Sequence, residues 1–489
     1  MDYQSGGIRQ LNLIYFKATQ MKRVVYTGFA FMLIILSGCK ISKDIAAPDP
    51  SLPASFRGTE QTDSSGIATI QWKQFFTDTT LQTIIDSALV HNFDLQVAVK
   101  NIEAAKLIVS QAKLGYFPEA KLQATAAINR PSDNSLNGLS LSEFLGKSYI
   151  EDYSLSAQLS WEADIWGKIK NQKQKAASSF LQTNEAKNAI QTNLISLIAS
   201  GYYNLIMLDA QISIAKKNLL LGDSTVAIIR HQYNAGQVTD LAIQQAEAQR
   251  LVAAQLIPFI QQQIEIQENA LSVLAGVNPS AINRKGQLHE TIIANELSTG
   301  VPASLLQNRP DIRAVELQLA IANANTGIAK ANMYPALSIT AAGGINSFKA
   351  SNWFSMPASL FGMAAGGIVQ PLFQRKQLKT QYELAKVERE KVVIQFRQSV
   401  LGAVGEVSNA QVKINKLKEQ EAIAQNRVGM LQKAITNADL LFKNGMANYL
   451  EVITAQSNVL QGELELASLR KDRVTAAIEL YRSLGGGWK

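Results

Sequence analysis

Residues 193–236 read NLISLIASGYYNLIMLDAQISIAKKNLLLGDSTVAIIRHQYNAG. Within them Leu194, Ile198, Gly201, Leu205, Leu208, Ile212, Ala215, Leu219, Gly222, Val226, Ile229 and Tyr233 step by four and three in turn. That is a 3.5-residue period, the pattern of a helix packed along one seam. No proline falls between Gly167 and Asn234, so one helix can run the whole distance. At 1.5 Å per residue it would be about 100 Å long. A rod of that kind is stable only with neighbours packed along its length.

The pattern returns. Val400, Ala403, Val407, Ala410, Ile414 and Leu417, then Ala424, Val428, Leu431, Ile435, Ala438 and Phe442, keep the same period, with Glu421 as the interruption. Ile453, Leu460, Ala467, Val474 and Tyr481 follow at strict sevens. Further landmarks repeat too. Leu89 to Ala124 aligns without gaps on Leu306 to Ala341, placing Asp94 on Asp311 and Phe117-Pro118 on Tyr334-Pro335. Asp164-Ile165-Trp166-Gly167-Lys168 matches Pro371-Leu372-Phe373-Gln374-Arg375, and Tyr233-Asn234-Ala235-Gly236 matches Phe442-Lys443-Asn444-Gly445. The chain holds two copies of one structural unit, 67–275 and 306–487, joined by a connector at 276–305. Each copy reads as a helix, a strand pair (117–163; 335–373), a long helix (167–234; 374–443) and a return helix (239–275; 448–484).

The strands show period-2 alternation. Leu122, Ala124, Ala126 and Ile128 alternate with polar or small residues, as do Tyr153, Leu155, Ala157, Leu159 and Trp161, and Leu337, Ile339 and Ala341. A fourth strand, Leu360 to Phe373, is Gly- and Ala-rich. Tyr153, Trp161, Trp166, Trp353 and Phe373 fall at or near strand ends, as in the aromatic girdle of a membrane barrel. Taken alone, the alternation suits a soluble sandwich equally well. The long helices favour the membrane reading, because an ordinary globular domain has little use for them. Four strands cannot close a barrel, and lipid tolerates no open sheet edge. Strands in a membrane would have to be pooled between copies; three copies would supply twelve, above a hollow cylinder of helices.

The N-terminus reads as an export signal over 1–38. Lys22 and Arg23 precede the apolar run Val24 to Leu36, and Ser37-Gly38 precede Cys39. The run is short for a membrane-spanning helix. Met1 to Gln20 does not fit a signal, so Met21 is an alternative start. Leu36-Ser37-Gly38-Cys39 looks like a bacterial lipobox, in which the cysteine becomes the lipidated first residue. Residues 39–66, rich in Pro, Ser, Asp and Ala, form the tether that follows. Cys39 is the sole cysteine, so no disulfide framework exists. The net charge of +8 is dispersed, with no basic block that would argue for nucleic acid. Three histidines far apart in sequence, no H-E-x-x-H, no C-x-x-C and no phosphate-binding loop give no catalytic or metal constellation. Gly146-Lys147-Ser148 reads as a polar loop beside a strand. The expected cofactor content is nil beyond the lipid on Cys39.

Both units resemble the TolC-like outer-membrane efflux proteins, in the lipoprotein branch paired with proton-driven pumps. Trp72-Lys73-Gln74-Phe75-Phe76 with Leu81 and Asn92-Phe93-Asp94-Leu95 is similar to that branch's opening motif. Asn308-Arg309-Pro310-Asp311-Ile312-Arg313, followed by Ala329-Lys330 and Tyr334-Pro335, is similar to its mid-chain motif. The resemblance covers roughly 60–487. It implies a mainly α fold with membrane β: a homotrimer sharing a 12-stranded β-barrel, four strands per chain, and a long coiled-coil α-barrel. It implies a passive exit duct for drugs or other small solutes, lipid-anchored in the outer membrane and docked to a periplasmic adaptor and an inner-membrane pump. A metal-efflux or type I secretion duct and a periplasmic adaptor lipoprotein are the alternatives. An adaptor should carry a lipoyl-like β domain and one helical hairpin rather than two strand-pair repeats.

The resemblance also places the turns after the long helices at the periplasmic entrance. Gly236 and Gly445 are the tip turns, suited to positive φ. Glu451, six residues after Gly445, would ring a cation-selective constriction around a three-fold axis. The family's next entrance acid corresponds to Thr454. In the first unit the matching position is Ala242, with Asp240 two residues earlier. Tyr233 and Phe442 precede the glycines and could hold the tip shut, although their phase also makes them seam residues. Asn448 to Glu451 has capping-box spacing, so a cap role for Glu451 stands beside the gate role.

Overall fold

The computed structural model describes residues 52, 53, 55, 56, 67–284 and 302–489. The signal segment, Cys39 and the middle of the connector lie outside the described residues.

Asp78 starts the first helix by accepting hydrogen bonds from the Thr80 and Leu81 amides. This helix, α1 (Thr79–His91), is followed by α2 (Phe93–Leu114) and strand β1 (Glu119–Asn129). A helix not expected from the sequence, α3 (Leu136–Leu145), sits in the connection to β2 (Ile150–Ala163). Ser135 caps its start and Gly146, at φ 60°, ends it. Gly146 caps this helix, and Lys147 and Ser148 form the polar loop read beside β2. Then come α4 (Lys168–Asn234) and its return, α5 (Asp240–Leu274). The second repeat supplies α6 (Pro310–Ala331), β3 (Ala336–Ser347), β4 (Leu360–Val369), α7 (Gln377–Lys443) and α8 (Tyr449–Ser483). The fourth strand ends at Val369 rather than Phe373. Residues 370–376 form a corner, with Arg375 and Lys376 both at positive φ.

The strands make one antiparallel sheet in the order β1-β2-β3-β4. Register joins Leu122 to Ala157, Leu159 to Ala341 and Ile339 to Gly366. Paired residues share a face. Leu122, Leu159, Ile339 and Ile368 therefore lie together, and Lys121, Gln158, Ser338 and Gly367 lie on the reverse. Tyr153 and Trp161 stand on the apolar face, about 26 Å apart along the strand. At the usual strand tilt of about 40° that distance spans about 20 Å of the roughly 25 Å apolar band of an outer-membrane barrel. Tyr153 meets Trp353 at 5.7 Å between ring centroids at one end, and Trp166 meets Tyr334 at 5.0 Å at the other. Among the described residues the outer edges of β1 and β4 carry no strand partner. No described helix is long and apolar enough to cross a membrane.

Chain contacts divide the molecule differently from the sequence repeats. One unit gathers 107–178 and 319–391 and holds the sheet with the helical ends nearest it. The other gathers 179–318, 392–489 and the described residues up to Lys106, which include α1 and most of α2. Both repeats contribute to both units, because β2 and β3 pair across the repeat boundary.

In the second unit most heptad residues of α4 are buried, among them Leu194, Ile198, Leu205, Leu208, Ala215, Val226 and Ile229, while Ile212 and Leu219 are half-buried and Tyr233 is exposed. Around 195–207 the buried face widens to include Ile195, Ala199, Tyr202, Tyr203 and Ile206. The main core also takes in Trp72, Phe76 and Leu81 of the opening motif, with Ile85 beside them. The buried Tyr202 hydroxyl donates to Asp78 at 2.9 Å. Burial, then this carboxylate, raises its pKa. Phe75 stacks on Tyr481, with centroids 4.2 Å apart.

Candidate functional site

The tip is built from the two helix-turn-helix ends. Gly236 and Gly445 stand at φ 75° and 71°. The Gly236 amide donates to the Tyr233 carbonyl and that of Gln237 to Gln232, both at 2.9 Å. Gly445 donates to Phe442 at 3.0 Å and Met446 to Leu441 at 2.8 Å. These are paired Schellman motifs, in which a left-handed residue lets the chain satisfy the last helical carbonyls.

Beneath the turns lies a small core drawn from four helices: Val226 and Ile229 of α4, Ala242 and Ala246 of α5, Phe442 of α7 and Val452 of α8. Phe442 is only 3% exposed. That burial fits the seam reading of Phe442, whose ring packs in the tip core. Tyr233 is 44% exposed, so its ring stands outside that core. A buried hydrogen bond from the Gln456 amide to the Thr225 hydroxyl, 2.6 Å, joins α8 to α4 above the core. Arg230 to Glu247 at 2.8 Å and Arg250 to Asp223 at 2.5 Å tie α4 to α5.

Glu451 is exposed at the first turn of α8. Its own amide donates to the Asn448 side chain at 3.1 Å. That is one half of the expected capping box; the other half, from the carboxylate back to the Asn448 amide, is not formed. Asn448 thus caps the helix without using the glutamate side chain. Asp240 opens α5, is exposed, and accepts a hydrogen bond from Gln244 at 2.7 Å. Ala242, the counterpart of Glu451, is fully buried. An acid there would be desolvated without a partner, which is why the first repeat has no equivalent carboxylate.

Three ion clusters further along the helices were not read from the sequence as sites. Arg284 lies in the connector and Arg309 just beyond it, each with its side chain nearly buried. Arg284 holds Asp209 with two bonds (2.5 and 2.7 Å) and Glu268 with a third of 2.5 Å. Arg309, from the mid-chain motif, holds Asp311 at 3.0 and 2.6 Å and Glu406 at 2.8 Å. Burial alone would push the Asp311 carboxyl up; the Arg309 guanidinium more than reverses this, leaving it below its ordinary value. Glu421, the interruption in the heptad series, is buried in the seam and faces Arg470 at 3.4 Å and Arg473 at 2.9 Å. The arginines three residues apart on the return helix were the available signal. Among the described residues, no group of three or more His, Cys, Asp or Glu side chains is placed to hold a metal ion.

The family model for outer membrane efflux proteins matches residues 84–277 and again 301–486, one match to each repeat. This chain belongs to the outer membrane efflux protein family. It is an outer-membrane channel component of an efflux system. The cation efflux system protein CusC of Escherichia coli O6:H1 is 26% identical over 459 residues, covering 93% of this chain and 97% of that protein. The toluene efflux pump outer membrane protein TtgI of Pseudomonas putida is 28% identical over 466 residues, covering 94% and 97%. Among solved structures, the outer-membrane channel OprN superposes with a TM-score of 0.84 at 25% identity, over 92% of this chain and all of that one. A CusC crystal structure gives 0.82, also at 25% identity and 92% coverage.

Proposed function

We propose that three copies of this chain pool their strands into one 12-stranded barrel and their helices into a passive duct. The duct receives small solutes from a periplasmic adaptor and an inner-membrane pump. The observation that carries this is the sheet. It has one continuous apolar face between two aromatic ends and two edges without strand partners. Unpaired edges cost several kcal/mol per polar group in hydrocarbon, so edge-to-edge pairing of copies is the state lipid favours. Cys39 carries the lipid that holds the chain to the inner leaflet, where stable anchoring takes more than one acyl chain. Glu451, whose carboxylate is not consumed by the cap, rings the entrance three times and favours cations. The relatives' names span cation and toluene efflux, which fits a duct whose cargo is chosen by the pump.

The test is heat-modifiable migration of the full chain from outer-membrane fractions, with single-channel conductance after reconstitution. A band at three times the chain mass that collapses on boiling, together with stable conductance, is expected. A monomer that is non-conducting and extracted without detergent would end this reading.

A further inference from the structure

The two rims of the sheet differ in charge. At the rim holding α3 and the β3–β4 connection the charges are mixed: Arg130, Lys147 and Lys349 stand among Asp133, Glu143, Glu151 and Asp152. At the opposite rim, where the strands meet the long helices, cations dominate. Lys113 precedes β1; Lys170, Lys173 and Lys175 open α4; Arg375 and Lys376 form the corner before α7. All six are exposed. The carboxylates nearby are already committed. Glu119 pairs with Lys121 and Glu162 with Lys168, while Asp164 accepts the Ile169 and Lys170 amides at the start of α4.

Each of these cation groups sits beside exposed apolar or aromatic residues. Leu114 and Phe117 are 63% and 67% exposed next to Lys113, and Leu372 and Phe373 are 92% and 84% exposed next to Arg375. Trp161 of the apolar sheet face donates to the Tyr116 carbonyl at 2.9 Å, and the Lys173 ammonium lies 6.0 Å from the Tyr116 ring centroid. Lys173 is therefore tied to the cluster that begins on the apolar face. An apolar body topped by a cation is the arrangement by which side chains anchor at a membrane surface.

The corner carries a second, independent sign. Arg375 and Lys376 hold φ 48° and 63°, a conformation that glycine adopts without strain. In the first repeat the positive-φ residue of the corner is a glycine, Gly167 at φ 73°, which aligns with Gln374 just before this pair. The second repeat keeps two cations there against the backbone preference. Strain retained at a surface corner points to use of those side chains.

We propose that this rim is a phosphate-binding collar, which recognises the headgroups of anionic phospholipids in the leaflet facing the helices. The proposal rests on the outer-membrane reading and adds a ligand class to it. Each lysine or arginine close to an anionic surface contributes about a fivefold preference, so several together make a selective belt.

The test uses the full chain reconstituted in vesicles of equal phosphatidylglycerol and phosphatidylethanolamine. Retained lipids are counted by native mass spectrometry after gentle extraction. The wild type should retain phosphatidylglycerol over phosphatidylethanolamine by at least about tenfold, and high salt should reduce that preference. The variant Lys173→Gln/Lys175→Gln/Arg375→Gln/Lys376→Gln should approach parity. Arg375→Gly/Lys376→Gly removes charge and backbone strain together, so it should lose preference without losing stability; Arg375→Lys/Lys376→Arg should keep the preference. Trimer migration and conductance are recorded for every protein, which separates this test from that of the channel itself. A wild type with no preference would overturn the collar. So would neutralised variants that keep their lipid preference while their anion-to-cation permeability ratio shifts, because the cations would then face the aqueous path.

Discussion

Replacing Gly445 by alanine isolates the conformational demand of the tip. A Cβ added at Gly445 meets nothing within 4 Å, as at Gly236. The cost is therefore the backbone's alone. Holding a non-glycine residue in the left-handed region costs roughly 1–2 kcal/mol. Local opening of the turn should then rise about five- to thirtyfold. The assay is amide hydrogen exchange at position 445 and at Met446, whose protons are held by the Phe442 and Leu441 carbonyls. Asparagine tolerates this conformation better, so Gly445→Asn should recover a good part of the loss. Gly276 provides the contrast. It has φ 70°, but its added Cβ would lie 2.3 Å from the His91 carbonyl oxygen, so Gly276→Ala should cost clearly more. Equal acceleration by alanine and asparagine at 445 would refute the argument, as would no acceleration by alanine. In the assembled channel, Gly445→Ala should also raise the frequency of brief openings.

Other expectations follow from the same geometry. Glu451→Gln should lower cation selectivity in bilayer recordings while leaving thermal stability unchanged, since Asn448 caps α8 by itself; unchanged selectivity would remove the entrance role. Cys39→Ala should abolish radiolabelled palmitate incorporation and impair sorting, and persisting label would refute the lipobox. Glu421→Leu should destabilise the helical part by about 1–2 kcal/mol, discounted because both arginines are partly exposed. The triple change Glu421→Leu/Arg470→Met/Arg473→Leu should return to within about 1 kcal/mol of wild type in denaturant titrations. Asp311 has a lowered native pKa, so its contribution is present above the unfolded value of about 3.9 and is lost as pH falls through the native one. Asp311→Asn should be less stable at pH 7 and show a shallower acid transition than wild type.

Periodicity made the rods legible. Leu194 through Tyr233 required only that one face stay dry, and the helix from Lys168 to Asn234 follows from it. Strand alternation was equally readable in β1 to β3, where the apolar residues share one face. It failed in β4, because Gly362, Ala364, Ala365, Gly366 and Gly367 carry too little side chain to show a period. Helix α3 was missed although Ser135 and Gly146 mark its ends, because Leu136 to Leu145 is too short for a periodic signal. At the tip, turn glycines and the Asn448 cap are local and were readable. The burial of Phe442 depends on Val226, Ala242 and Val452 arriving from three other helices, which spacing along one segment does not reveal. The Arg284 and Arg309 clasps depend on long-range partners in the same way. The Glu421 position was visible as a break in the series; its meaning waited for Arg470 and Arg473.

The pairing of β2 with β3 joins Tyr153 to Ser347, residues encoded almost two hundred positions apart. Ribosomes therefore deliver the first hairpin long before its central neighbour exists. Loop-closure entropy and high contact order make such pairings slow, so an exported chain crosses the periplasm with a half-built, sticky ribbon. Holdase chaperones should thus engage the Glu119–Ala163 hairpin during that interval, and a translation stop after the first repeat should strand the product there rather than yield a smaller pore.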